Sequence, residues 1–275
     1  MTGDRLRRAF AARYGLDEAE VPALAGPAEL AARLERGSCR AFTGEAVPEP
    51  LLTTLLAAAQ SAPSKSDLQQ YAIIVLDDPE VRRAFLALPS IPVWAADAGR
   101  LLVFLGDPRR ARRMAAIHRL PYDSNTVDVF MNAACDAAIA MTAFVLAAEA
   151  AGLGCCPLSV VRNHCAEITR LLGLPDGVFP FAGLCVGWPA RPGPISPRLP
   201  QSVVVHRDRY DDRELEAELR TYDAKRPVPP EKQLHPDRYG RQDGLGWSSN
   251  AARRLSRRER PGFHAYLGSQ GIALD

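Results

Sequence analysis

The segment from Val129 to Ala148, VFMNAACDAAIAMTAFVLAA, constrains the fold more than any other part of the chain. It is long enough to cross a membrane. Asp136 lies near its middle, however, and a central carboxylate costs about 2.5–3.5 kcal/mol on membrane insertion. Its alanines suit close helix–helix contact instead, so the segment predicts a buried central helix over 128–151, ended by the glycines of AGLG. Asp136 is either a buried carboxylate with hydrogen-bond partners or a site residue, and the structural role is favoured.

Shorter segments of helical or strand periodicity lie on both sides of this helix. Helices are predicted over 27–36, 48–62, 80–88, 163–175 and 212–226, strands over 71–76, 100–107 and 179–189, and an edge strand at VVVH, 203–206. Strands and helices do not alternate regularly enough to indicate a doubly wound parallel sheet. The predicted class is therefore α+β, a mixed sheet flanked by helices.

Composition excludes several classes of function. The formal net charge is +2, which argues against nucleic-acid binding as the main role. The N-terminus alternates charges and lacks the apolar stretch of a secretory signal, so we expect a cytoplasmic protein with no membrane partner. Six cysteines occur without a CxxC pair and five histidines are scattered, which predicts reduced, buried thiols and no metal site. The Rossmann, P-loop, GxSxG and HExxH motifs are all absent from the sequence.

Polar residues concentrate instead in four connections. These are Arg36, Ser38 and Arg40 in RGSCRAF; Ser64, Ser66 and Gln69 in SAPSKSDLQQ; SVVRN at 159–163; and SPRLP at 196–200. Guanidinium groups bind phosphate bidentately and hydroxyl groups add neutral donors, so a ligand with a phosphate and a planar polar ring would use such groups together. The alternatives are surface arginines that pair with Glu35 or Glu45, and ordinary turn residues.

Taken in order, these connections resemble the flavin-dependent nitroreductase family, in particular its oxygen-insensitive NADPH nitroreductase and flavin reductase branch. RGSCRAFTGEAV followed by SAPSKSDLQQYAIIVL is similar to that branch's HRSxRxFxxxxI, SxxSxxxQ and strand. AAEAAGLG resembles AAExLGLG, the segment VVRNHCAEITRLLGLPDGVFPFAGLCVGWPA resembles [IL]RN…LLxLPxxVxPLxGLxxGxP, and SPRLPQSVVVH resembles KPRLPxxxxxH. The C-terminal RPGFHAYLGSQGIA is similar to RPxxxxYLxxQGxA.

The resemblance implies an intertwined homodimer that binds FMN and passes hydride from NADPH or NADH to a nitroaromatic, quinone or flavin acceptor by a ping-pong mechanism. It divides the chain into an N-terminal extension (1–27), an FMN-binding core (28–207) and a C-terminal excursion onto the partner (208–275). No side chain is implied as a catalytic acid or base. The residues carried over are Ser38, Arg40 and Arg198 for the flavin phosphate, Ser64, Ser66 and Gln69 for the flavin and its ribityl chain, the backbone N–H groups of Ser159 and Val160 for the ring, and Arg162 nearby.

The chain departs from the family pattern at several of these positions. Arg36-Gly37 replaces His-Arg, Ser196 replaces a lysine, Pro92 replaces a glutamine, Ser159-Val160 replaces Gly-Gly, and Thr142-Ala143 replaces Gln-Asn. We expect Arg36 to restore part of the lost positive charge. Arg238 and Arg241 are candidates for a 2′-phosphate site, with a solvated helix face as the alternative. A specialised flavoenzyme of the same fold and a non-catalytic flavin-binding homologue remain alternative functions.

Overall fold

The structure, a computed structural model, describes residues 2–27 and 29–274, which form two units. The smaller unit contains Met1–Gly37 and Pro194–Glu259, and the larger contains Ser38–Gly193 and Arg260–Asp275. The helices are α1 (Thr2–Tyr14), α2 (Glu29–Glu35), α3 (Glu49–Gln60), α4 (Pro79–Leu86), α5 (Arg109–Ile117), α6 (Val127–Ala150), α7 (Cys165–Leu172), α8 (Gln201–Val204), α9 (Leu215–Lys225), α10 (Pro236–Tyr239), α11 (Trp247–Leu255) and α12 (Phe263–Ser269). The strands are β1 (Tyr71–Val75), β2 (Arg100–Gly106), β3 (Gly154–Leu158) and β4 (Phe179–Gly187).

A four-stranded sheet organises the larger unit, with the strand order β1-β2-β4-β3. Every adjacent pair is antiparallel, so the α+β class is confirmed, but the parallel pairing expected of a mixed sheet does not occur among the named strands of the described residues. Alternation along β2 sends Leu101 and Val103 into one core and Leu102 and Phe104 into the other. The sheet is therefore covered on both faces.

Helix α6 covers one face of this sheet, as its sequence predicts. Ala137, Ala140 and Phe144 are fully buried in the same core as Leu102 and Phe104 of β2. By length and composition, α6 is a helix that could cross a membrane, with 39% of its most apolar window buried in the fold. Its opposite face carries an apolar stripe of exposed side chains four residues apart, formed by Val127, Met131, Cys135 and Ile139.

The sequence predictions and the structure differ at a few elements. VVVH was predicted as an edge strand, and this was wrong, because its first part closes the short helix α8. Strand β3 was missed because GCCPL contains a glycine and a proline, which are depleted in strands. Helices α1, α5 and α12 were also missed. Cys135 is exposed, whereas the other five cysteines are buried as predicted.

The smaller unit contains two local packing clusters. In the first, Leu6 and Ala9 of α1 pack against Ala31 of α2, and Arg5 of α1 forms an ion pair with Glu35. In the second, the Tyr222 ring of α9 meets the Trp247 ring of α11 edge to face at 5.4 Å. The division of the sequence into segments 1–27, 28–207 and 208–275 stays a prediction.

Candidate functional site

The connection that begins at Ser38 is fixed against strand β3. The Cys39 N–H donates to the Cys155 carbonyl at 2.9 Å. A Cβ on Gly154 would lie 2.5 Å from the Cys39 Cβ, so only glycine allows this approach. Cys39 is buried, which leaves Ser38 half-buried and Arg40 exposed on either side of it. Ser38 and Arg40, two polar candidates from the first connection, are thus held beside β3.

Asp136 organises the loop from Ser64 to Gln70. Its carboxylate is 2% exposed and accepts hydrogen bonds from the Ser64 hydroxyl at 3.1 Å, the Lys65 N–H at 3.0 Å and the Gln70 N–H at 2.9 Å. The Ser64 oxygen accepts in turn from the Gln69 N–H at 2.7 Å. The structural role of Asp136 is to place a loop that contains three of the predicted flavin-contacting residues.

The same loop carries an unusual backbone conformation. Ser66, Asp67 and Gln69 all have positive φ, between 50° and 57°. Such conformations are uncommon for residues other than glycine, and they persist where the surrounding structure determines them. Arg110 of α5 supplies part of that support, since its guanidinium donates to the carbonyls of Gln69 at 2.5 Å and Tyr71 at 3.1 Å. The exposed side chains of Ser66 and Gln69 therefore project from a fixed loop.

The third predicted group follows β3 directly, in a 3₁₀ turn over Ser159–Asn163. The first N–H groups of a helical turn have no partner within the turn, so Ser159 and Val160 provide backbone donors there. Arg260 reaches the same turn and donates to both the carbonyl and the hydroxyl oxygen of Ser159 at 3.4 Å. Arg162 donates to the Phe181 carbonyl of β4 at 2.5 Å, so its guanidinium holds the turn against the sheet.

These predicted residues fall into two groups within the larger unit. Ser38, Arg40, Ser159 and Val160 lie along or after β3, and the Ser64–Gln69 loop precedes β1. Strands β1 and β3 form the opposite edges of the sheet, about 14 Å apart by three inter-strand spacings. The larger unit of one chain therefore does not bring the two groups together at one edge of its sheet.

Arg36 and Arg198 belong to the smaller unit, where Arg13 joins them. The Arg13 side chain donates to the carbonyls of Leu34 at 2.9 Å, Ser196 at 2.7 Å and Arg36. Arg198 also donates to the Ser196 carbonyl, at 3.0 Å. Sequence reasoning missed Arg13, whose only signal is one more arginine in a charged N-terminal helix.

Two further arginines predicted near a 2′-phosphate site have partners inside the smaller unit. Arg241 donates to the Pro230 carbonyl at 2.6 Å. The Arg238 guanidinium lies 5.3 Å from the centre of the Tyr239 ring. Both side chains thus contribute to the packing of α10 and its flanking loops.

Comparisons with known proteins match most of the chain. A model described as "Nitroreductase family" matches residues 34–188, and one described as "Nitroreductase family, C-terminal domain" matches 196–275. The chain is 32% identical to the "FMN reductase [NAD(P)H]" of Bacillus subtilis over 86% of the chain and 95% of the relative. It is 33% identical to the "Oxygen-insensitive NADPH nitroreductase" of Salmonella typhimurium, over 86% and 94% respectively. The solved structure of NfrA2 from Bacillus megaterium superposes with a TM-score of 0.80 at 31% identity, covering 90% of this chain and 98% of that one.

Proposed function

The chain belongs to the nitroreductase family, and we propose that it is an FMN-dependent oxidoreductase that passes hydride from NADPH or NADH to an acceptor of nitroaromatic, quinone or flavin type. FMN supplies the two-electron chemistry when it is bound. The observation that carries the proposal is the 3₁₀ turn that begins with Ser159 and Val160 directly after an edge strand. The relatives of the chain include proteins named FMN reductase and NADPH nitroreductase. The free cysteines of the chain fit a cytoplasmic protein, because thiols stay reduced in that compartment.

The donor groups of the chain fit FMN. Ser38 and Arg40 offer a hydroxyl and a guanidinium beside β3, and these are groups that bind a phosphate monoester. Ser66 and Gln69 offer exposed hydroxyl and amide groups for a polyhydroxyl chain or a ring edge. The N–H groups of Ser159 and Val160 would hold a ring carbonyl or nitrogen and stabilise negative charge on it.

A homodimer is part of the proposal, because a second copy can bring the two groups of site residues together. The Ser64–Gln69 loop of one protomer would then lie beside the Ser159 turn of its partner. The apolar stripe on α6 supports this arrangement, since Met131 is 56% and Val127 is 50% exposed in the single chain. Contiguous exposed apolar surface is typical of interaction faces.

Met131→Asp tests the dimer. A buried carboxylate in the stripe disfavours association, so we expect sedimentation to show a monomer with little bound flavin. Cys135 lies in the same stripe, and a maleimide should label it faster in this variant than in the wild-type dimer. A wild-type protein that sediments as a monomer while it binds FMN would contradict the dimeric site.

The absorbance spectrum of the purified protein, followed by anaerobic titration with each nicotinamide, tests the activity. We expect a yellow protein that one or both nicotinamides bleach, and a nitroaromatic, a quinone or free flavin that restores the colour. A colourless protein that cannot be reconstituted with FMN would contradict the proposal.

A specialised flavoenzyme with a narrow substrate is the second candidate, and the Ser159 side chain favours it. Ser159 carries its hydroxyl next to Arg260, at a position where the family pattern has glycine. A flavin that binds but that neither nicotinamide reduces would favour this candidate or a non-catalytic homologue. A screen of acceptors with chemically reduced protein then separates the two.

A further inference from the structure

Guanidinium groups from three separate segments of the smaller unit converge on Ser196. Arg13 of α1 and Arg198 both donate to the Ser196 carbonyl, at 2.7 and 3.0 Å. Arg226, after α9, donates to the Ser196 hydroxyl at 3.2 Å and to the Pro197 carbonyl at 3.1 Å. The Arg198 N–H also donates to the Arg13 carbonyl at 2.8 Å, which ties this segment to the end of α1. Like charges do not gather in this way without an electrostatic cost.

Arg13 makes that cost largest, because it is 5% exposed. Its three side-chain hydrogen bonds all run to carbonyl oxygens, which accept hydrogen bonds but carry no negative charge that would balance the guanidinium. Burial lowers the pKa of the Arg13 guanidinium, and the charges of Arg198 and Arg36 lower it further. A buried charge is normally balanced by a partner of opposite sign. An anion beside the cluster would supply the balancing charge.

We propose that Arg13 completes a phosphate site with Arg36 and Arg198, and that its ligand is the phosphate of FMN. This inference rests on the proposed function and adds to it a residue outside both family matches, which cover residues 34–188 and 196–275. A phosphate monoester carries about −1.5 to −2 charges and accepts several hydrogen bonds, which suits a cluster of guanidinium groups.

Arg13 acts in this site as a positioning residue and as a source of charge. By holding the carbonyls of Leu34, Arg36 and Ser196, it fixes the two segments that carry Arg36 and Arg198. Among the described residues, these bonds use three of the five N–H donors of its guanidinium, and the other two remain for an anion.

The comparison of FMN with riboflavin, which lacks the phosphate, isolates the contribution of this site. Dissociation constants for both flavins are measured by fluorescence quenching with refolded or dialysed apoprotein of the full chain. Arg13→Gln removes the charge but keeps an amide donor for the carbonyls. We expect it to weaken FMN about tenfold or more, the effect of 1.4 kcal/mol, and to leave riboflavin unchanged.

Arg13→Lys keeps the charge, so it should recover most of the FMN affinity. Inorganic phosphate should compete with FMN for the wild type and for this variant. Arg7→Gln is the matched control, because Arg7 lies on the same helix and donates to the Glu18 carbonyl at 2.8 Å. It should bind both flavins as the wild type does.

Three outcomes would overturn the inference. One is an equal loss of FMN and riboflavin affinity in Arg13→Gln with no recovery in Arg13→Lys, which indicates a purely structural role. Another is an unchanged preference for FMN. The third is an unchanged FMN affinity with a raised KM for NADPH but not NADH, which assigns the cluster to the 2′-phosphate of the nicotinamide. Wild-type protein that binds neither flavin would overturn the proposed function as well, so the two failures are distinguishable.

Discussion

Asp136→Asn is the sharpest test of how the central helix supports the candidate flavin site. The carboxylate of Asp136 accepts at both oxygens, from the Lys65 N–H at Oδ1 and from the Ser64 hydroxyl and Gln70 N–H at Oδ2. An asparagine has the same shape but only one acceptor oxygen. In either orientation its NH₂ group must face a backbone N–H, so at least one hydrogen bond becomes a contact between two donors.

The size of the effect follows from these contacts. A hydrogen bond to a charged group contributes about 1.5–3 kcal/mol, and a buried N–H left without an acceptor costs a further 1–3 kcal/mol, roughly. Because the side chain is 2% exposed, water cannot replace the lost acceptor. Part of the loss is recovered by relaxation of the loop, so we expect the free energy of unfolding to fall by about 2–4 kcal/mol. The loop must then be ordered on binding, which should weaken FMN about tenfold or more.

Urea denaturation of the apoprotein and fluorescence titration with FMN measure the two effects separately. Asp128→Asn is the matched control, because Asp128 lies on the same helix, is exposed and accepts from Asn132 at 2.8 Å. It should change stability by no more than about 0.5 kcal/mol. An Asp136→Asn protein with wild-type stability would refute the reasoning about the carboxylate. A destabilised protein with wild-type FMN affinity would refute the assignment of the loop to the flavin.

Three further predictions concern the surroundings of the site. Arg110→Ala removes the donor to the Gln69 carbonyl and should weaken FMN about tenfold in the same titration, whereas unchanged binding would mean that the loop holds without it. Gly154→Ala would place a Cβ 2.5 Å from the Cys39 Cβ, so urea denaturation should show a loss of about 1–3 kcal/mol, and a stable variant would contradict the close approach. Burial raises the pKa of Tyr266 to about 12, so its contribution to stability is complete below pH 10 and is lost as the pH rises to 12. Tyr266→Phe should therefore lose less stability than the wild type between these two pH values, and equal losses would contradict the shift.

The sequence predicted the elements that carry strong periodicity and the residues that sit in connections. The helix over 128–151 is observed as Val127–Ala150, and strands were predicted at the positions of β1, β2 and β4. Asp136 was also correctly favoured as a structural carboxylate, because an ionised group in an apolar helix requires partners. Such predictions succeed because they depend on local pattern and on the cost of burying a charge.

Other features depend on tertiary contacts that no local pattern contains. Strand β3 forms from GCCPL because β4 pairs with it along its whole length and Cys39 packs against Gly154, which together override low strand propensity. The roles of Arg110 and Arg13 depend on carbonyl oxygens that lie between 21 and 183 residues away in the sequence. In the sequence alone, an arginine that donates to distant backbone carbonyls cannot be distinguished from an arginine that is exposed to solvent.

Arg13 of α1 contacts the two segments in which the chain departs from its family pattern. Gly37 and Ser196 stand where that pattern has cationic side chains, and the positive charge they would have supplied must come from elsewhere if the phosphate is to be held. Arg13 hydrogen-bonds to residue 36, the neighbour of the first position, and to residue 196 itself. One guanidinium on α1 therefore contacts both segments. Restoring the lysine with Ser196→Lys should therefore make Arg13→Gln tolerable for FMN binding, as a double-mutant cycle would show. An additive cycle would mean that Arg13 and residue 196 act independently.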